Sequence, residues 1–170
     1  MSPTPDQPGQ GGRTDGARTK GGQAVPKMML IGATGCGKTT LYQRLFALPL
    51  DYAKTQALAF NGQIVDTPGE YLENRNYYSA LMVTSMEVDW VALVLAATET
   101  QTVFPPGFAR MFTQPAIGII TKTDLLGTDG CPADDSFAQN LLALAGVERI
   151  FYTSAYQGSG VDELKALLGI

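Results

Sequence analysis

Eight residues, Gly32-Ala-Thr-Gly-Cys-Gly-Lys38-Thr39, carry the pattern G-x-x-x-x-G-K-[ST]. Phosphate oxygens require many donors at short range. Gly35 and Gly37 let backbone N–H groups curl around them, and a following helix N-terminus adds a favourable dipole. Gly32 opens the turn and Cys36 fills it, while Lys38 would bridge the β- and γ-phosphates. Thr39 offers a hydroxyl to Mg2+, a hard cation that prefers oxygen ligands. Thr40 completes the nucleotide-binding set in the first helical turn.

Asp66-Thr-Pro-Gly69 supplies a carboxylate that can hold Mg2+ through water, followed by a glycine whose N–H can meet a γ-phosphate. Thr55 is the candidate switch threonine, able to reach Mg2+ in the triphosphate state. Glu70 stands where a glutamine would orient an attacking water. A carboxylate there accepts a proton but also repels a γ-phosphate, so slow intrinsic hydrolysis is expected. Lys38, Glu70 and Thr55 are thus the candidate catalytic residues, and Thr39, Thr55 and Asp66 the candidate metal ligands. Arg44, Lys54, Arg75 and Arg110 are cations able to neutralise transition-state charge, and the sequence does not rank them.

Thr121-Lys122-Thr123-Asp124 has the form [NT]-K-x-D. A carboxylate at Asp124 accepts from two adjacent guanine donors, whereas adenine presents an acceptor and leaves the carboxylate poorly paired. The stem of Lys122 would cover the ring. Thr153-Ser154-Ala155 resembles the short loop whose backbone N–H reaches a guanine carbonyl.

The elements needed to position these residues follow from the apolar pattern. Met28 to Ile31 reads as a buried strand and Lys38 to Leu48 as a helix with Leu41, Leu45 and Leu48 on one face. Ala57 to Phe60 and Gln63 to Asp66 flank Asn61-Gly62, a hairpin turn. A Pro-Gly loop and a helix from Tyr77 to Met86 come next. Asp89 to Ala97, Ala116 to Thr121 and Arg149 to Thr153 read as strands. Helices are expected near Phe108, from Asp134 to Ala145 and from Val161 to Leu168. This alternation predicts a three-layer α/β fold with a mostly parallel six-stranded sheet and one antiparallel hairpin strand. Each candidate element lies at the C-terminal end of a predicted strand, where open α/β sheets bind ligands.

Composition narrows the chemistry further. The 170-residue chain contains no histidine, which excludes histidine-dependent triads, histidine-ligated zinc and imidazole general base catalysis. Cys36 and Cys131 are too few for a disulfide framework or a four-cysteine zinc site. A net charge of −4 argues against gripping nucleic acid through its phosphates. Residues 1–26, with six Gly and four Pro, are expected to form a flexible tail, and residues 27–170 the nucleotide-binding domain. The first 27 residues carry +2 and the remainder −6. The longest apolar run, Trp90 to Ala97, falls far short of the ~20 residues of a spanning helix, so no membrane association is expected.

From Met28 to Leu168 the chain resembles the EutP/PduV family of small P-loop proteins encoded with bacterial ethanolamine- and propanediol-utilisation systems. The resemblance rests on Lys54-Thr55-Gln56-Ala57, Asp66-Thr-Pro-Gly-Glu-Tyr71, Tyr77-Tyr78-x-Ala80-Leu81 and Thr121-Lys-Thr-Asp124. It implies a Ras-like P-loop NTPase fold and a role in amine or diol catabolism. It also implies a place in the bacterial cytoplasm near a microcompartment, whose shell or cargo protein would be a partner. The family is described both as GTPase-like and as an ATP-dependent acetate kinase, so the implied cofactors are Mg2+ with GTP or ATP. Acetate is one implied acceptor. Two functions stay open at this point: phosphoryl transfer to water or acetate, and a nucleotide-dependent interaction switch.

Overall fold

The computed structural model describes residues 25–51, 59–101 and 103–170. The expected tail up to residue 24, together with Lys54 and Thr55, lies outside them. Four strands, β1 (Met28–Ile31), β3 (Ile64–Asp66), β4 (Trp90–Ala96) and β5 (Ala116–Thr121), with β6 (Ile150–Tyr152), form a parallel sheet. The strand β2 (Ala59–Asn61) runs antiparallel to β3 at the edge, giving the order β2-β3-β1-β4-β5-β6. Gly62 takes the positive φ of 63° that the connecting turn requires.

The sheet is covered on both faces, which explains why its strands read as continuous apolar runs rather than as an alternation. Along β1, Met28 and Leu30 join one core and Met29 and Ile31 the other, with all four side chains fully buried. The first core packs against α1 (Lys38–Leu45) and α5 (Val161–Leu168) through Leu41, Leu45, Leu164 and Leu168. The second packs against α3 (Tyr78–Ser85) and α4 (Ser136–Ala145) through Leu81, Leu141 and Leu142. A Cβ on Gly118 in β5 would meet Leu142, Val147 and Ile150 at 3.0–3.2 Å, so this strand needs glycine to admit α4.

Three expectations are corrected. The first helix stops at Leu45 rather than Leu48, because Ala47 turns to φ 52° and the Leu48 N–H returns to the Gln43 carbonyl at 2.8 Å. The segment near Phe108 is a single 3-10 turn, Phe108–Met111, packed by aromatic contacts to Phe104, Phe112 and Tyr78. The loop after Pro68 contains a short helix, α2 (Glu70–Glu73), and a 3-10 turn, Arg75–Tyr77, precedes α3. Among the described residues no helix is long and apolar enough to cross a membrane.

Candidate functional site

Between the end of β1 and the start of α1, six residues reverse the chain. Gly35 at φ 79° and Gly37 at φ 97° take left-handed conformations that are costly for other residues. Gly32 is required for a different reason, since a Cβ there would collide with the Val94 carbonyl of β4. Helix α1 has no side chain capping its N-terminus, which leaves its first N–H groups facing the loop. Lys38 is buried, and its ammonium donates to the Gly32 and Ala33 carbonyls at 2.8 and 2.9 Å. Those two bonds hold the charge beneath the loop. Cys36 lies behind it, 3.7 Å from the Lys38 ammonium, and burial pushes its thiol above the usual range against the opposing pull of Lys38.

Asp66 ends β3 beside this loop, and its Oδ2 accepts from the Thr39 hydroxyl at 2.8 Å. Two hard oxygen donors therefore converge where the sequence places a divalent cation, a donor set that fits Mg2+. Among the described residues no cluster of three or more Asp, Glu, Cys or His is found. A cation here would draw its other ligands from phosphate and water. Thr67 donates to the Leu30 carbonyl at 2.8 Å, pinning the following segment to β1. Gly69 then packs so closely on Thr34 that a Cβ would overlap the Thr34 backbone. Glu70 opens α2, half-buried, and is not among the residues lining the cavity described below. Three residues on, Glu73 accepts from the Thr34 N–H at 3.4 Å.

The other end of the site forms where β5 stops. Thr121 donates to the Cys36 carbonyl at 2.5 Å, and Lys122 adopts φ 58°. The Lys122 ammonium reaches back to the Gly35 carbonyl at 2.7 Å, joining the segment after β5 to the loop between β1 and α1. Ser154 donates to Asp124 Oδ1 at 2.5 Å and itself accepts from the Gln157 N–H at 3.1 Å. The carboxylate is thereby held in one orientation by a buried hydroxyl. Ala155 and Thr121 line a small recess of about 40 Å3 next to Asp124.

Both ends open into one cavity of about 330 Å3. Gly35, Gly37, Lys38, Thr39, Thr40 and Gly69 line one end, and Lys122 and Asp124 the other. Asp66 and Ser154 join through Thr39 and Asp124. Arg44, Arg75 and Arg110 do not line it; Arg44 lies against Gly158. Sequence reasoning missed Thr34, Asp51, Thr67, Leu125 and Tyr156, which do line it. Thr34 sits inside the phosphate-loop motif as a variable position. Asp51 is clamped by the Gln43 amide on both its N–H and its carbonyl, at 3.1 and 2.9 Å, a contact without a sequence signature.

The family described as ethanolamine utilisation and propanediol utilisation, PduV-EutP, matches residues 25–169. The chain is 44% identical over 140 residues to the propanediol utilization protein PduV of Citrobacter freundii, covering 82% of this chain and 91% of the relative. It is 34% identical over 143 residues to a protein of Salmonella typhimurium named probable acetate kinase EutP, and 31% identical to the one so named in Escherichia coli. Each of those two alignments covers 82% of this chain and 87% of the relative.

Proposed function

Because the chain belongs to the PduV-EutP family, we propose that it is a Mg2+-dependent nucleoside-triphosphate-binding protein of propanediol or ethanolamine utilisation. On this reading it has a Ras-like P-loop fold and transfers the γ-phosphoryl group to water or to acetate. The observation that carries this reading is the continuous cavity from Lys38 and Thr39 to Asp124, with a cationic phosphate cradle at one end and an oriented carboxylate at the other.

Phosphoryl transfer relies on positioning and electrostatics more than on covalent chemistry by the protein. Two of the Lys38 protons go to loop carbonyls and the third faces the Cys36 sulfur at 3.7 Å, so a bound phosphate would take over that weakest of the three contacts. Backbone N–H groups of the loop and of the α1 N-terminus hold the α- and β-phosphates. Thr39 and Asp66 would hold Mg2+, which when bound neutralises charge on the β- and γ-phosphate oxygens. Asp124, oriented by Ser154, favours guanine, whose two adjacent donors match its acceptors. The relatives' name of probable acetate kinase supports acetate as an acceptor.

Calorimetric titration of GTP, GDP, ATP and ADP with Mg2+ tests this directly. Guanine nucleotides should bind more tightly, and Lys38→Ala should abolish turnover. Full activity in that variant would overturn the proposal, and tighter binding of ATP would overturn the base assignment.

A second reading is favoured by the contact of Gly69 with Thr34. A γ-phosphate that draws in the Gly69 N–H would move α2, making the same site a switch for a microcompartment shell or cargo protein. Equal affinity of such a partner for the diphosphate and triphosphate-analogue states would refute it.

A further inference from the structure

Tyr42, Tyr71, Tyr77 and Tyr78 each pack against another aromatic ring. Tyr156 does not. Its ring has no aromatic contact and its hydroxyl no hydrogen bond among the described residues, and the residue is 73% exposed. Yet it lines both the cavity of about 330 Å3 and the small recess beside it, as do Lys122 and Asp124. Its backbone is well held. The Ser154 N–H donates to the Ser159 carbonyl at 3.1 Å and the Gly158 N–H to the Ser154 carbonyl at 2.7 Å, which closes residues 154–159 into a compact loop. The Gln157 N–H donates to the Ser154 hydroxyl, which donates in turn to Asp124. One hydrogen-bonded unit therefore sets both the ring and the carboxylate. Lys122 is fixed as well, since with its ammonium on the Gly35 carbonyl its aliphatic stem runs along the cavity wall. An unpartnered ring at this wall leaves apolar surface in water that a flat ligand face would cover.

We infer that Tyr156 is the stacking surface for the nucleobase, and that it supplies affinity without choosing the base. The inference rests on the nucleotide-binding reading above, in which Asp124 meets the edge of the base. Every base presents a π-face, so stacking on an aromatic side chain tolerates a change of base. Edge and face are then read by different groups. Asp124 discriminates through the donors it can or cannot match, while Tyr156 raises the affinity of guanine and adenine nucleotides alike. A tyrosine suits this task because it brings a large rigid area with only two rotatable bonds to immobilise.

Calorimetric titrations of GDP, ADP, guanosine and inorganic tripolyphosphate, each with Mg2+, test this on the wild type, Tyr156→Ala, Tyr156→Leu and Tyr156→Phe, with Tm recorded as a check of folding. Tyr156→Ala should weaken GDP and ADP by the same factor, about 5- to 150-fold, the equivalent of ~1–3 kcal/mol. Tripolyphosphate, which has no base, should bind as before. Tyr156→Phe should restore the affinity and Tyr156→Leu only part of it, which separates a π-face from mere apolar bulk. In Tyr156→Trp, the emission added to that of Trp90 should be quenched by GDP and ADP but not by tripolyphosphate. Unchanged GDP and ADP affinities in Tyr156→Ala, or a loss confined to one base, would overturn the inference. A wild type that binds no tripolyphosphate, and GDP no more tightly than guanosine, would overturn the phosphate-grip reading instead, and guanosine affinity in Tyr156→Ala would then decide the stacking. Failure of the wild type to bind any of the four would overturn both.

Discussion

Replacing Gly69 with alanine separates space from backbone freedom. Gly69 has φ −59° and ψ −32°, an ordinary helical conformation that alanine adopts without strain. The difficulty is steric alone. A Cβ would sit 2.5 Å from Thr34 Cα and closer still to other Thr34 atoms, whereas ordinary contact begins at 3.4 Å. The obstruction includes backbone, which no change of rotamer relieves. The phosphate loop is held by the Lys38 bond to Ala33 and the Lys122 bond to Gly35, so α2 must be the element that retreats. Overpacking of this kind costs about 1–3 kcal/mol, equivalent to a fall in Tm of roughly 2–12 °C for a chain of this size. On the proposed reading, the same retreat would withdraw the Gly69 N–H from a γ-phosphate. Losing one charge-assisted hydrogen bond is worth about 1.5–3 kcal/mol, or roughly 10- to 150-fold in triphosphate affinity. Diphosphate affinity, set by the rest of the loop and by Asp124, should fall much less. Thermal melts with parallel titrations of diphosphate and a non-hydrolysable triphosphate measure both effects. An unchanged triphosphate-to-diphosphate ratio would refute the coupling, and an unchanged Tm as well would refute the steric argument.

Two further outcomes are expected. Asp124→Asn replaces one acceptor with a donor, so guanosine diphosphate should bind about 5- to 150-fold more weakly, the cost of one mispaired polar group, while xanthosine diphosphate gains. Titration of both bases checks it, and unaltered guanine affinity would contradict the assignment. Cys36, buried and with its thiol raised by that burial, holds less thiolate at a given pH than a free cysteine. Iodoacetamide should therefore label the half-buried Cys131 first, with the deficit at Cys36 greatest near neutral pH and narrowing as pH rises. Peptide mapping reads this out, and fast labelling of Cys36 at neutral pH would count against it.

Legibility from sequence followed the strength of the local signal. Strand β5 and helix α5 match their expected limits because a buried apolar run and a capped amphipathic repeat leave little choice. The end of α1 was not legible. It closes in a Schellman arrangement, with Leu48 N–H to Gln43 and Ala47 N–H to Arg44, but an alanine occupies the left-handed position where glycine would announce the stop. Helix α2 was hidden for another reason, since four residues carry too little periodicity to detect. Within the candidate site, the phosphate-loop motif, Asp66, Gly69 and Asp124 are visible because their chemistry restricts residue type. The position of Asp51 is set by Gln43, and that of Tyr156 by the turn after Ser154, contacts that exist only once the chain has folded. Thr55 falls outside the described residues.

The hydrogen bond from Lys122 to the Gly35 carbonyl has a kinetic consequence. It ties the loop between β1 and α1 to the loop after β5, so that, on the proposed reading, the phosphate grip and the base grip are coupled. Release of a nucleotide would then require both grips to loosen in one event rather than in sequence, which lengthens residence time without adding a contact to the ligand. The same tie offers a point of control. On the proposed reading, whatever displaces the Lys122 ammonium from that single carbonyl would weaken both ends at once and speed exchange.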